Sequence, residues 1–395
     1  MNIVGCYLNA LGMLCSSGSS VPTIREAMRE VTTELTISDD YFAGHPMPLG
    51  LYLGELPEIS LSGRKWQSRN NRFALAALEQ IRCEVAEALN RYGADRVGVV
   101  IGTSTSGISD SETAIRQWQQ SGSAPSSYDY GMQEMGAPAD FVAELLGIEG
   151  PCYGISTACS SGAKALASAK RLIGAGICDA VVAGGVDTLC RLTVQGFSSL
   201  EAVSDSRCNP MSRNRKGINI GEGAALFLVS RDPRGVELKG VGESSDAYHI
   251  SAPEPTGAGA VRCMTRALAD SGVDAAEIGY INMHGTATLL NDQMESIAIE
   301  KIFGTGTNCS STKPFTGHTL GAAGAIEAGI CWMVLAPDNE QFLPPHVWDG
   351  ERDPGLAPIK LVESAAERVE SIDYVLSNNF AFGGSNISLI LGRAS

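Results

Sequence analysis

The 395-residue chain is short of positive charge: 29 Lys and Arg stand against 44 Asp and Glu, for a net charge of -15 at pH 7. General nucleic-acid binding is thereby excluded, and any anionic partner has to meet a local basic patch. Long apolar runs are missing as well. The nearest approach, Gly321 to Ala336, carries Glu327 and is rich in Gly and Ala, so it reads as a buried helix and not as a membrane span. The opening MNIVGCYLNALGMLC has no basic residue ahead of its apolar stretch and reads as a first strand, not a signal peptide. The 11 cysteines are odd in number and form no CxxC pair and no short His/Cys cluster. That argues against a disulfide framework and against a metal site, and it points to a reducing cytoplasm. Proline is scarce, at 17 residues, and no low-complexity tract occurs.

What is present is apolar mass. Hydrophobic residues make up 44% of the chain and charged residues 18%, enough for a large core and too much for disorder. Glycine is abundant, at 45 residues, without collagen periodicity, which implies tight turns and close backbone approaches. Short β-branched runs alternate with helix-like stretches. RVGVVIG, CDAVVAGGVDT and AALFLVS lie in the first part; IGYINMHG, IKLVES, YVLSNN and SNISLILG lie in the second. This alternation predicts an α/β layered fold. The polar, turn-rich Ser230–Gly240 is the best internal boundary. AALFLVS and NISLILG close the two parts in similar fashion, a hint of internal duplication. The turn-rich regions 16–70 and 104–138 read as insertions that build an entrance or a dimer surface.

Four segments carry chemistry. In GISTACSSGAKALASAK a β-prone stretch runs into Cys159 and then an alanine-rich helix, which puts a thiol near a helix N-terminus, where thiolate is favoured. In IGYINMHGTAT an apolar strand delivers His284 to a small-residue turn. In STKPFTGHTLGAAGA, Lys313 and His318 precede a close-packed helix, and a His in a first helical turn is held neutral by the dipole. In NNFAFGGSN, Phe380 and Phe382 flank Ala381 ahead of two glycines. His45, His249 and His346 lie in loop-like contexts and read as structural or surface residues. One Cys with two His points to thioester chemistry, since sulfur both attacks and leaves well in acyl transfer. The second His suggests that a further oxyanion, such as the enolate of a decarboxylated malonyl thioester, is stabilised.

Taken together, STACSSG, HGTAT followed by ND, KPFTGHTLGAAGA, NNFAFGGSN and the GINIGEGAA stretch resemble the β-ketoacyl-acyl carrier protein synthases, condensing enzymes of the thiolase superfamily. The resemblance covers nearly the whole chain. It implies a five-layer αβαβα fold of two pseudo-duplicated halves, 1–235 with the nucleophile and 236–395 with the His, His, Lys and Phe gate. It implies Cys159 as the acylated nucleophile and His284 and His318 as enolate stabilisers. Lys313 would be a buried cation paired with Glu327 or Glu295, the backbone N–H groups of Cys159 and Phe382 an oxyanion hole, and Phe382 the gate. No metal or redox cofactor is implied; the substrates ride on the phosphopantetheine of acyl carrier protein.

Three departures point to a specialised substrate, in fatty acid or in type II polyketide or polyene synthesis. Ala381 stands where Gly is usual and should restrict φ at the gate hinge; Ala287 stands where Gly or Ser is common; Lys216-Gly217-Ile218 replaces Asp-Gly-Phe. An acidic carrier requires basic docking residues. Arg64, Lys65 and Arg69, with Arg72, form one cluster; Arg207, with Arg213, Arg215 and Lys216, forms another. The resemblance implies docking at Arg64, Lys65, Arg69 and Arg207, and assembly as a homodimer or as a heterodimer with a ketosynthase-like chain-length factor. Two other readings compete: the chain as a non-catalytic chain-length factor, which such partners' usual loss of the nucleophile argues against, and a Cys-His hydrolase, which would need neither the second His nor the FAFGG loop.

Overall fold

A computed structural model describes residues 5–33, 35–336, 342–365 and 372–394. The β-branched and apolar runs become strands because side chains at alternate positions can be buried on two faces at once. In the first half these are β1 (Tyr7–Cys15), a small hairpin of β2 (Thr36–Ser38) and β3 (Met47–Leu49), β4 (Val97–Gly102), β5 (Cys152–Ile155), β6 (Ala180–Asp187) and β7 (Gly223–Ser230). In the second they are β8 (Val236–Ser245), β9 (Ile278–Asn282), β10 (Asn308–Ser310), β11 (Lys360–Leu361), β12 (Tyr374–Ala381) and β13 (Ser385–Arg393). The polar break between halves is shorter than its composition suggests. Only 231–235 lie outside strands, because Val236–Gly240 opens β8, whose residues alternate buried and half-buried.

Eleven strands run in the order β11-β10-β9-β12-β13-β8-β1-β7-β6-β4-β5, and β1 meets β8 at only two positions, Tyr7 with Glu237 and Leu8 with Val236. Each side of that weak join repeats one pattern. β7 lies antiparallel between β1 and β6, with β4 and β5 parallel beyond. β13 lies antiparallel between β8 and β12, with β9 and β10 parallel beyond. The two apolar stretches that hinted at duplication are β7 and β13, so they hold equivalent places.

The layers follow from which helix covers which face. Residues of β7 alternate: Ala225, Phe227 and Val229 join the central core, and Ala224, Leu226 and Leu228 an outer one. Between the two sheet regions lie α6 (Ser161–Gly174) and α11 (Ala323–Leu335), each touching strands of both halves. The first outer face is covered by α2 (Arg69–Glu79), α3 (Arg82–Tyr92) and α5 (Ala137–Leu146), the second by α8 (Ala258–Ser271) and α9 (Leu289–Phe303). The result is the five-layer αβαβα arrangement. The remaining helices are α1 (Val21–Arg29), α4 (Ile108–Ser121), α7 (Arg191–Ser199) and the single turn α10 (Lys313–Thr316). Most of the stretch 321–336 forms α11, buried along almost its whole surface, which explains its apolar sequence. Among the described residues, no helix is long and apolar enough to cross a membrane.

The central helices approach closely because small residues face each other. A Cβ on Gly162 would lie 2.9 Å from the Ala325 Cβ, and one on Gly324 would lie 2.8 Å from the Ala163 Cβ. Since α6 begins just after Cys159 and α11 just after His318, this packing brings the N-terminal ends of both helices to one place.

Candidate active site

The parallel strands deliver their C-terminal ends to that same place. β5 leads to Cys159, β9 to His284, β10 to Lys313 and His318, and β12 to Phe382. His318 Nε2 lies 3.0 Å from Cys159 Sγ, and the two imidazole centroids are 5.4 Å apart, edge to face. All three side chains are buried, yet they line a cavity of about 320 Å³ together with Phe380, Ala381 and Phe382.

Cys159 precedes α6, but the structure does not make it a resting thiolate. Burial pushes its thiol up to about 12, and the nearby carboxylates of Glu327 and Asp187 add to this, while Lys313 opposes it. Desolvation exceeds the pull of the helix start, so the sulfur rests protonated and needs a base on attack. His318 is placed for that. It lies outside any helix, two residues ahead of the 320–322 turn that leads into α11; burial first, then the Lys313 cation, hold it well below the usual imidazole range. His284 is held low by burial, by Lys313 and by His318.

Lys313 is fully buried and settles the choice between two acids: it forms its ion pair with Glu327, which also accepts from Asn379 Nδ2. Its ammonium donates to the His284 backbone carbonyl and lies 3.4 Å from His284 Nδ1. An ammonium only donates, so Nδ1 accepts and the imidazole proton sits on Nε2. Glu295 acts on the backbone instead. It accepts the N–H groups of His284 at 2.8 Å and Gly285 at 2.7 Å, and burial raises its carboxyl to about 7.

Three residues beside these side chains hold left-handed conformations that cost a non-glycine residue roughly 1–2 kcal/mol each: Ala158 at φ 53°, Ala287 at φ 61° and Leu320 at φ 49°. Hydrogen bonds hold one of them in place, since the Ala287 N–H reaches Asp292 Oδ1 at 3.2 Å and its carbonyl accepts from the Gly217 N–H at 2.9 Å. The thiol and the imidazole nitrogens lie within 4.8 Å of one another, a Cys/His donor set of the kind that zinc uses. The Lys313 ammonium beside His284 Nδ1 works against a divalent cation there.

Two sequence families describe this chain: "Beta-ketoacyl synthase, N-terminal domain" matches residues 66–234, and "Beta-ketoacyl synthase, C-terminal domain" matches 236–347. Among curated relatives, 3-oxoacyl-[acyl-carrier-protein] synthase 2 of Vibrio cholerae is 35% identical, over 81% of this chain and 80% of its own. Nodulation protein E of Rhizobium meliloti is 31% identical over 97% of each chain. A solved ketosynthase in complex with its chain length factor, from Xenorhabdus doucetiae, superposes with a TM-score of 0.92 at 45% identity, over 99% of this chain and 98% of that one. The chain belongs to the β-ketoacyl synthase family. It is a condensing acyltransferase.

The rest of this β-ketoacyl synthase's expected site divides. Phe380 faces His284, with centroids 6.2 Å apart, and Phe382 packs on Phe197 at 5.5 Å. Ala381 is not at the bend. It ends β12 in extended pairing with Ser385, and the left-handed residues of the turn are Gly383 at φ 84° and Gly384 at φ 74°. That turn is clasped by another loop: the Gly383 N–H reaches the Ile250 carbonyl at 2.7 Å, and the Asp246 N–H reaches that of Gly384 at 2.9 Å.

Arg64, Lys65 and Arg207 are exposed, with Lys65 over the Trp66 ring at 4.1 Å and Arg207 bonded to Thr33 Oγ1 at 2.8 Å. Arg69 is different. Its guanidinium grips buried Glu222 through two contacts, Nη2 to Oε1 at 2.5 Å and Nε to Oε2 at 3.1 Å, so it is held inward and is not free to dock. Arg215 is likewise buried, on Asp353. His346 is a buried clasp, accepting the Ser311 N–H at 3.1 Å and facing the Pro210 carbonyl at 3.0 Å. Sequence reasoning missed Asn379 and Asp187. Asn379 stood inside the NNFAFGG motif and was passed over for its aromatics; Asp187 looked like an ordinary turn residue after a strand.

Proposed function

We propose that the chain is an elongating ketosynthase in which Cys159 carries the acyl chain. The observation that carries this is the 3.0 Å contact of Cys159 Sγ with His318 Nε2 beside a second imidazole whose proton faces away from Lys313. In the first half-reaction the thiol attacks the thioester of an acyl carrier protein. Its proton passes to His318 and on to the departing pantetheine sulfur, and the carbonyl oxyanion is met by the N–H groups of Cys159 and Phe382. A malonyl thioester then takes the freed mouth. His284 Nε2–H and His318 hold its carbonyl while CO2 departs, and the resulting enolate carbon attacks the acyl carbon of Cys159. The sulfur leaves with the electron pair and takes up a proton from water. The product is a β-ketoacyl carrier protein two carbons longer. Lys313 and Glu327 keep the imidazoles neutral and oriented, and Phe382 moves when an acyl chain enters.

The carrier docks through Arg64, Lys65 and Arg207, and the phosphopantetheine arm belongs to the carrier, with no metal or redox group required. A second ketosynthase-like chain completes the assembly. β5 is the edge strand of the sheet, with half-buried residues, and an unpaired sheet edge suits a protein partner. The 45% identical solved ketosynthase is in complex with its chain length factor, which favours a heterodimer; the sequence departures at Ala287 and at Lys216-Gly217-Ile218 favour a polyketide or polyene product over a housekeeping fatty acid. The two halves divide at 1–235 and 236–395, and 11 unpaired cysteines suit a reducing cytoplasm.

The test incubates the protein with acyl- and malonyl-carrier protein and follows acyl-enzyme, CO2 and β-ketoacyl product by mass spectrometry. Acylation confined to Cys159, with condensation lost in Cys159→Ala while malonyl decarboxylation persists, is the expected result. Hydrolysis of acyl-carrier protein without condensation would replace this reading with the Cys-His hydrolase.

A further inference from the structure

His318 has an unusual deficit for an imidazole that must face a sulfur. Its Nε2 is committed to Cys159, but among the described residues its buried Nδ1 has no hydrogen-bond partner. Among those residues no side chain therefore fixes the ring from behind, as a carboxylate does in a catalytic triad. The backbone has to do it. On one flank the His318 N–H donates to the Asn219 carbonyl at 2.6 Å, and its carbonyl accepts from Gly221 at 3.0 Å. The other flank runs through left-handed Leu320 to Gly321, and the Gly321 N–H ends on Asp187 Oδ2 at 2.6 Å.

Asp187 ends β6 and is fully buried. Its carboxylate also accepts Thr103 Oγ1 at 2.5 Å, the Ser104 N–H at 2.8 Å, and the N–H and Oγ1 of Thr105, both at 2.9 Å. Three of the partners are backbone N–H groups, which can only donate and favour the ionised acid, while burial pushes the carboxyl above its ordinary range and these hydrogen bonds oppose that rise. The 103–105 loop follows β4, and β4 ends where Gly102 packs on the first turn of α6: a Cβ there would lie 2.3 Å from the Ser161 carbonyl carbon. One carboxylate thus joins the backbone behind the nucleophile's helix to the backbone behind the imidazole. Space at this joint is full, since a Cβ on Gly321 would lie 2.6 Å from Ser104 N and 2.7 Å from Asp187 Oδ2.

We propose that Asp187 is a positioning residue for the condensation: by tying the 103–105 loop to Gly321 it sets the distance between Cys159 Sγ and His318 Nε2. This rests on the reading of Cys159 as the acylated nucleophile and adds a determinant that touches neither substrate nor sulfur. Two variants test it. Asp187→Asn keeps the shape but replaces one acceptor oxygen with a donor. Gly321→Ala keeps the charge and forces the two backbones apart. In each, measured well below its melting temperature, kcat should fall about 10- to 100-fold, the scale expected of a misplacement near 1 Å. The KM for carrier substrate should stay within about twofold of wild type, because the cavity mouth is untouched. Alkylation of Cys159 by iodoacetamide at fixed pH should slow with kcat, because the sulfur has lost its base.

Either variant folding with kcat within about threefold of wild type overturns the proposal. So does a loss in which KM rises alongside kcat while the alkylation rate stays unchanged, which describes general loosening. Failure here is distinct from failure of the underlying reading: that falls only if Cys159→Ala still forms acyl-enzyme.

Discussion

The two halves share one strand pattern and use it for opposite chemistry. After β4 come the hydroxyls of Thr103 and Thr105; after β9, its counterpart, comes His284. After β5 comes Cys159; after β10 come Lys313 and His318. Asp187 ends β6; Phe380 lies near the end of its counterpart β12, and Phe382 just beyond it. The first half supplies a thiol and a carboxyl group with its donors, and the second supplies two imidazoles, an ammonium and two phenyl rings. The difference teaches that a repeated scaffold fixes where side chains emerge, at the C-terminal ends of parallel strands, and leaves open what they are. Neither half alone holds a reactive pair.

That division is broken most severely at the nucleophile. Cys159→Ala should reduce condensation by more than about 10³-fold with little change in unfolding free energy, checked by product mass spectrometry and urea titration. Next comes the second half's cation. Lys313→Met strands the buried Glu327 carboxylate and should cost about 3–5 kcal/mol of stability, with condensation reduced by roughly 10²-fold; a lesser effect of Glu327→Gln in the same titration would place the penalty on the unpaired charge.

The clasp between segments of the second half and the 209–211 stretch tests the comparison by pH. Burial holds His346 down at about 4, below its unfolded value of 6.5. Its contribution is fully present above 6.5 and is lost as pH falls through that window toward 4, by about 3 kcal/mol in all. His346→Gln should remove this slope, read as the wild-type minus variant difference in urea stability. Taking the difference matters because Glu295, raised to about 7 from 4.5, works in the opposite sense and destabilises the fold as pH rises through that range.

Smaller effects lie at the rim and the turn. Arg207→Ala should raise the KM for carrier about three- to tenfold and leave kcat alone, with a weaker effect at higher salt. Arg69→Ala should show in stability instead, because it leaves Glu222 buried without its partner. Ala381→Gly should shift chain-length acceptance by less than about threefold and stability by under about 1 kcal/mol, since an extended residue needs no glycine.

The sequence made the strands, the central helices and the Cys, His, His and Lys constellation legible, because each sits in a local pattern: an apolar run that ends in small residues. It misjudged properties that depend on what arrives from elsewhere in the chain. The thiol's resting state is decided by burial under the other half. Arg69 looks free until Glu222, 153 residues away, meets it. The place of His318 outside a helix depends on the brief 313–316 turn, which ends at Gly317 with φ 66°. Ala381 was judged by its neighbours in the motif, when the bend lies two residues later. Asp187 escaped notice because its donors come from two distant segments, 103–105 and Gly321.

The small residues facing each other across α6 and α11 set a limit on how this protein can change. With no room for even one additional methyl between the two helices, sulfur and imidazole cannot drift apart by gradual substitution at their backs. Variation in what the protein builds is left to the rim loops and the far wall of the cavity, where side chains can grow or shrink without disturbing the spacing at its floor.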